Sequence, residues 1–189
     1  MKIMIASDIH GSAYYCELML RTFESENADR LLLLGDILYH GPRNDLPEGY
    51  DPKKVADLLN NISEKIICVR GNCDADVDLM VLSFPMTTEC AVVPIGEKMM
   101  YVTHGHVYNP DNLPLLRKGD MLLYGHTHVP ALREVRDSMC INPGSVSIPK
   151  GGSRHSCILL KDGIFGWKDI ETGDYFRHYD SLGEEKQNG

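Results

Sequence analysis

The chain opens on an apolar run, KIMIA at residues 2–6, that stops abruptly at Ser7-Asp8. A short, unbroken run of this kind reads as a buried strand that delivers a polar loop. Ser12 can then cap a helix over residues 13–26, with Leu18, Leu20 and Phe23 among its apolar positions. Leu31 to Leu34 repeats the pattern and ends at Gly35-Asp36. Gly41-Pro42 and Pro47 mark an extended loop, and Asp51-Pro52 supplies a capping residue and an N1 proline for a helix reaching Ile62. Lys65 to Val69 is a third buried strand, closed by Arg70-Gly71-Asn72, and the segment from Asp74 to Leu82 is expected to be helical. Repetition of strand, polar loop and helix predicts an α/β core with parallel strands.

After Pro85 the texture changes to shorter β-type segments at 87–95, 98–103, 120–124, 131–135, 139–142, 156–161 and 164–170, with Gly96-Glu97 and Asp162-Gly163 as turn signals. No internal repeat, low-complexity tract or linker separates the two textures. Residues 1–182 are therefore expected to form a single domain, followed by a polar, flexible tail over 183–189.

Composition narrows the class. With 43% hydrophobic and 24% charged residues the chain has the balance of an ordinary globular protein, long enough at 189 residues to bury a core without staples. A formal net charge of −8 disfavours sequence-independent binding to nucleic acid, which relies on many Lys and Arg facing phosphates. The six cysteines, Cys16, Cys68, Cys73, Cys90, Cys140 and Cys157, form no CxxC pair, and several lie inside apolar runs. A reducing cytoplasm is the expected home. The N-terminal apolar run is too short for a signal peptide, and no later run approaches a membrane span.

The chemistry sits where the predicted strands end. Asp8 and His10, Asp36, Asn72, His104, and His126 with His128 all follow the C-terminal ends of strands, the place where ligands bind in open α/β sheets. Singly, each has a structural alternative: Asp8 and Gly35-Asp36 read as turns, and Asn72 as a residue tolerant of left-handed backbone. Asp8 and His10, two apart, would point the same way from an extended segment and could share one ion. The clusters His104-Gly105-His106 and Gly125-His126-Thr127-His128 favour metal binding or catalysis, because several histidines share two short loops.

The joint order D-x-H, G-D, G-N-x-D, H-G-H, G-H-T-H over residues 8–128 resembles the calcineurin-like metallophosphoesterase superfamily. Within it, the short length and the segments GDILYHGPRN (35–44), GNCD (71–74) and INPGSVSIPK (141–150) look like the small YfcE-type phosphodiesterases. The resemblance implies a four-layer αββα sandwich with two mixed β-sheets flanked by helices. It also implies two divalent ions, one held by Asp8, His10, Asp36 and His128, the other by Asp36, Asn72, His104 and His126, with Asp36 as the bridge. Asp36, Asn72, Cys73 and His104 are the residues it assigns to catalysis, with Cys73 a substrate-contacting or neighbouring group in preference to a nucleophile.

Mixed carboxylate, amide and imidazole donors suit borderline ions, Mn2+ first, with Ni2+, Co2+, Fe2+ and Zn2+ as alternatives. Two such ions about 3.5–4 Å apart can make hydroxide available near neutrality and neutralise phosphoryl oxygens. In-line attack of a metal-bridging hydroxide on a small organic phosphate, a diester in preference to a monoester, is the expected reaction. The phosphatase members of the superfamily carry Arg where this chain has His40 and His where it has Cys73, so substrates with good leaving groups are expected. Competing readings are a non-catalytic scaffold of the same fold, as in a vesicle-coat subunit, and a metal-dependent nuclease. Arg43 and Asn44 are candidates for the pocket mouth or for a solvated loop, His106 for a ligand-supporting or substrate contact or a structural turn, and Asn142-Pro143-Gly144-Ser145 first for a turn and second for the pocket wall; His155 and His178 lie outside the blocks. A homo-oligomer, dimer or tetramer, is a mild expectation of the resemblance.

Overall fold

Strand β1 (Lys2–Ala6) is buried on both faces, and that explains its unbroken apolar run. Met4 and Ala6 face one hydrophobic cluster and Ile5 the other. The same division holds in β2 (Arg30–Leu33), where Leu31 and Leu33 point one way and Leu32 the other. Each fully buried aliphatic side chain of this kind contributes roughly 1.5–3 kcal/mol. This computed structural model describes residues 1–183; of the expected tail, 184–189 lie outside the described residues.

Helix α1 (Ala13–Ser25) starts where Ser12 accepts a hydrogen bond from the Tyr15 N–H, and it buries Cys16, Met19 and Phe23 against the first sheet. Helix α2 (Pro52–Asn60) starts at Asp51, whose carboxylate accepts from the Lys54 N–H, and it packs Val55, Ala56 and Leu59 beside α1. The remaining strands are β3 (Ile66–Cys68), β4 (Cys90–Ile95), β5 (Lys98–Thr103), β6 (Met121–Leu123), β7 (Ala131–Val135), β8 (Ser138–Asn142), β9 (Ser156–Lys161), β10 (Ile164–Asp169) and β11 (Tyr175–Asp180).

Two mixed sheets result. The first has the order β11-β10-β9-β1-β2-β3, with β1, β2 and β3 parallel as the repeated pattern predicts, and β9 antiparallel to β1. The second has the order β4-β5-β6-β8-β7, parallel through β5, β6 and β8. Between the sheets lies a core built from Ile5, Leu32, Val102, Leu123, Phe165 and Trp167. The Trp167 indole N–H reaches the Asn142 carbonyl at 2.7 Å, so its one polar atom is satisfied inside that core. Helices cover the far side of the first sheet. On the second sheet, Leu113 and Leu116 of the loop 104–120 pack onto Leu122, Tyr124 and Cys140.

Two local expectations fail. Residues 74–82 do not form an α-helix: a short 3-10 stretch, Asp76–Met80, stands there with none of its residues buried. The Asp74 side chain turns inward to bind strand-end N–H groups, and Asp78 accepts from the Ala75 N–H at 2.8 Å, so the segment lacks both an apolar face and a free start. Strand β11 was not expected, because YFRHYD has neither a clean alternation nor an apolar run; it pairs with β10 as an edge.

Candidate metal centre

The parallel strands of both sheets end on one side of the molecule, and the loops there carry every candidate ligand. Asp8 and His10 follow β1, Asp36 follows β2, Asn72 and Cys73 follow β3, His104 follows β5, and His126 and His128 follow β6. Asp8, His10, Asp36, His126 and His128 all have positive φ, between 49° and 65°; among the described residues they are five of the nine non-glycine residues in that region. Asp8 and His10 therefore do not lie on extended backbone; each occupies a left-handed position, which costs of order 1 kcal/mol and clusters at functional sites. The turns are held by cross-loop hydrogen bonds, His10 N–H to the Asp36 carbonyl at 2.9 Å and Gly11 N–H to the Ile37 carbonyl at 2.8 Å. Two motif glycines are needed for close approach. A Cβ on Gly71 would run into the Asp36 carboxylate, and one on Gly125 into the Ser7 hydroxyl.

Both carboxylates are oriented in the same way. Asp36 Oδ1 accepts the Cys73 N–H at 2.8 Å, which leaves Oδ2 facing His104 Nε2 at 3.3 Å and His10 Nε2 at 3.7 Å. Asp8 Oδ2 accepts the His126 N–H at 3.0 Å, which leaves Oδ1 facing His128 Nε2 at 3.2 Å and His10 Nε2 at 3.5 Å. One oxygen of each is tied to backbone and the other is aimed inward.

The imidazoles follow a matching rule. His10 Nδ1 donates to the Tyr39 carbonyl at 2.8 Å, His104 Nδ1 to the Leu34 carbonyl at 2.7 Å, and His128 Nδ1 to the Ile148 carbonyl at 2.7 Å. A carbonyl only accepts, so the proton of each neutral ring sits on Nδ1 and Nε2 presents a lone pair. Yet His10 Nε2 and His128 Nε2 lie 3.1 Å apart, and His104 Nε2 lies 3.0 Å from the Asn72 amide oxygen. His126 Nδ1 comes within 3.3 Å of the same His104 nitrogen. Asp8 Oδ1 is buried without a hydrogen-bond donor. Acceptors facing acceptors in a buried space require a cation, a proton in the metal-free protein or a divalent ion. The donor set thus fits metal ions, and among the described residues three groups, Asp8-His10-His128, Asp36-His104-His126 and His10-Asp36-Cys73, each have ligand atoms close enough to share one.

Electrostatics in the metal-free centre reflect the same crowding. Burial opposes ionisation of Asp8, but the imidazoles of His10 and His128 outweigh it and hold the carboxyl well below the usual carboxylate range. Burial also disfavours charge on His104, but the Asp36 and Asp8 carboxylates raise its pKa to about 9. Burial, followed by the Asp36 carboxylate, pushes the Cys73 thiol up to about 12 in the metal-free centre, which disfavours a thiolate there. Of the two departures from the phosphatase pattern, Cys73 lines the cavity, while His40 sits edge-on to the Tyr39 and Tyr50 rings. His106 stands beside His104 and His126, with ring centroids 5.5 and 6.3 Å away.

Several supporting residues lie inside the segments GNCD and INPGSVSIPK, and the sequence alone does not show what they hold. The Asp74 carboxylate accepts three backbone N–H groups, from Asp36 and Ile37 at 2.8 Å and from Gly71 at 2.7 Å, and so joins the loops after β2 and β3. Segment 142–147 is more than a turn. Ser145 and Ser147 donate to the Asp8 carbonyl at 2.8 and 3.2 Å, and Asn142 donates to the Gly125 carbonyl at 2.8 Å. Above the ligands opens a cavity of about 390 Å3, whose lining includes Arg43, Asn44, Cys73, Thr127 and Lys150. Arg43 and Asn44 were candidates for this mouth; Thr127 and Lys150 were not.

Residues 1–162 match the family model described as the calcineurin-like phosphoesterase superfamily domain. The chain is 49% identical over 164 residues to phosphodiesterase YfcE of Escherichia coli (strain K12), covering 87% of this chain and 89% of that protein. It is 30% identical over 158 residues to a probable metallophosphoesterase of Methanocaldococcus jannaschii, covering 79% and 70%. A solved structure of YfcE, a phosphoesterase from E. coli, superposes with a TM-score of 0.91 at 44% identity, covering 95% of this chain and 99% of that one.

Proposed function

The chain belongs to the calcineurin-like phosphoesterase superfamily, and from that premise we propose that it is a divalent-metal-dependent phosphodiesterase of small organic phosphates. The observation that carries this reading is the set of inward-facing lone pairs and carboxylate oxygens, complete at every position where the family resemblance asks for a ligand. Asp8, His10, Asp36 and His128 would hold one ion and Asp36, Asn72, His104 and His126 a second, with Asp36 shared. Mn2+ is the first expectation for this mixed oxygen and nitrogen set. The six unpaired cysteines support a reducing, cytoplasmic setting. Residues 1–182 are taken as one domain.

When bound, divalent ions supply a water of lowered pKa and neutralise charge on phosphoryl oxygens. The rest is the work of the chain. Backbone donors at Cys73 and His126 fix the carboxylates of Asp36 and Asp8, so that substrate does not have to reorganise them. Carbonyls of Tyr39, Leu34 and Ile148 hold three imidazoles in the tautomer that ligates through Nε2. Cys73 stands where the phosphatase members carry a histidine, so the leaving group lacks an imidazole acid at that position and esters with good leaving groups should react fastest.

The test is to strip the purified protein of metal and add back Mn2+, Ni2+, Co2+, Zn2+ or Mg2+ in turn, with bis-p-nitrophenyl phosphate and p-nitrophenyl phosphate as substrates. Restored turnover with the diester preferred is expected. No turnover with any ion would contradict the hydrolase reading, and preference for the monoester would contradict the diester assignment.

A further inference from the structure

The mouth of the cavity has a charge opposite to that of the protein as a whole. The chain carries −8 overall, yet among the described residues the cavity lining holds two exposed cations, Arg43 and Lys150, and a single acid, the buried Asp36. The side chains of Arg43 and Lys150 make no ion pair or hydrogen bond among the described residues. The lysines and arginines that do pair with acids are Lys2, Arg21, Lys54, Arg70, Arg154 and Lys168, all outside this cavity. Unpaired cations at a concave mouth attract and retain anions.

Their backbones are tied to the candidate ligands. The Tyr39 carbonyl holds the His10 ring at 2.8 Å, and the His40 carbonyl accepts the Asn44 amide at 2.8 Å, which closes the turn that presents Arg43. Gly41 of that turn packs against the Cys73 sulfur; a Cβ there would come within 3.0 Å of it. On the other side, the Lys150 N–H donates to the His128 carbonyl at 3.1 Å, and its own carbonyl accepts the Ser153 hydroxyl at 2.7 Å. Both cations are thereby anchored to the His10 and His128 side of the centre.

Resting on the phosphodiesterase reading, we infer that the substrate carries a second anionic group, a phosphate or carboxylate beyond the scissile phosphodiester, held by Arg43 and Lys150. Divalent ions held by the candidate ligands would supply the countercharge of the scissile group. A simple neutral-tailed diester would leave both rim cations unmatched, whereas an anionic tail would gain charge-assisted hydrogen bonds from them.

A matched pair of probes tests this. The p-nitrophenyl ester of thymidine 5'-phosphate is compared with the same ester bearing a 3'-phosphate, by kcat/KM on the metal-loaded protein. In parallel, thymidine 5'-monophosphate and thymidine 3',5'-bisphosphate are compared for binding by calorimetry. The 3'-phosphorylated member of each pair should be favoured about tenfold, mostly through KM, which is the scale of one charge-assisted contact. Arg43→Ala and Lys150→Ala should each lower that ratio about threefold and the double variant should bring it near one; added salt should shrink it as well. A wild-type ratio of one overturns the inference. So does an equal fall for both probes in the variants, because the cations would then be gripping the scissile phosphate itself. Absence of turnover with preserved binding preference overturns the hydrolase reading and leaves the anion site standing.

Discussion

The half of the centre formed by Asp8, His10 and His128 is built differently from the half formed by Asn72, His104 and His126. In the first, all three residues are buried, both imidazoles are pinned by carbonyls, and the Asp8 backbone is braced by Ser145 and Ser147. In the second, only His104 is buried and pinned; His126 is half-buried and Asn72 is exposed, its amide nitrogen bonded to the neighbouring Cys73 sulfur at 3.2 Å. A rigid, desolvated half positions an ion before substrate arrives, whereas a softer, open half can exchange ligands with an incoming phosphoryl group. Asp36 belongs to both halves, with its free oxygen between His10 and His104.

That difference can be broken most severely at the shared residue. Asp36→Asn should lower kcat by more than a hundredfold, because changes to residues that merely orient ligands already cost about 10- to 100-fold. Activity within a few fold of wild type, in protein of normal circular dichroism, would contradict the bridging assignment.

A smaller effect is expected one step back from the ions. In Asp74→Asn an amide NH2 replaces an oxygen that accepts backbone N–H groups, so at least one buried donor loses its partner. The cost should be about 2 kcal/mol, read as a fall in Tm of roughly 4–8 °C, together with weaker metal binding. An unchanged Tm would mean that the loops after β2 and β3 do not depend on this clamp.

A further effect concerns protons. In the metal-free protein His104 titrates at about 9, above the ordinary 6.5, so the folded state holds this proton more tightly than the unfolded chain does. That contribution to stability is complete below pH 6.5 and is lost as pH rises through about 9. Metal binding runs the other way, because the ion must displace the proton, and affinity should climb over the same window. Calorimetric titration of Mn2+ at several pH values checks it; affinity that is flat with pH would contradict the assignment of His104 as a ligand.

Much of this arrangement was legible in the sequence for a local reason. β1 and β2 are buried on both faces and so appear as unbroken apolar runs. β3, at the sheet edge, buries Ile66 and Cys68 and exposes Ile67, and its run is apolar all the same. The three runs lead into the loops that carry Asp8, Asp36 and Asn72. What was not legible is set by tertiary contact. Asp74 reads as a helix start until its carboxylate is seen reaching back 38 residues to the Asp36 N–H, which removes the helix. Asn142 to Ser145 read first as a turn, yet Ser145, with Ser147 beyond it, holds a carbonyl more than a hundred residues earlier in the chain. The left-handed backbone of Asp8 and His10 follows from loop crossings that no spacing rule encodes. Lys150 closes the segment INPGSVSIPK, but nothing there shows that its side chain lines the cavity. β11 pairs by its backbone at a sheet edge, and its side chains gave no pattern.

The central claim, a cage for paired cations that share Asp36, is tested most directly by counting ions in solution. Mn2+ titrated into the metal-stripped protein, followed by calorimetry and electron paramagnetic resonance, should bind in two steps of unequal affinity and give the signature of spin-coupled ions once both sites fill. Asn72→Ala should weaken the second step and spare the first. Full phosphodiesterase activity with one bound ion per chain, or two ions without coupling, would contradict the account.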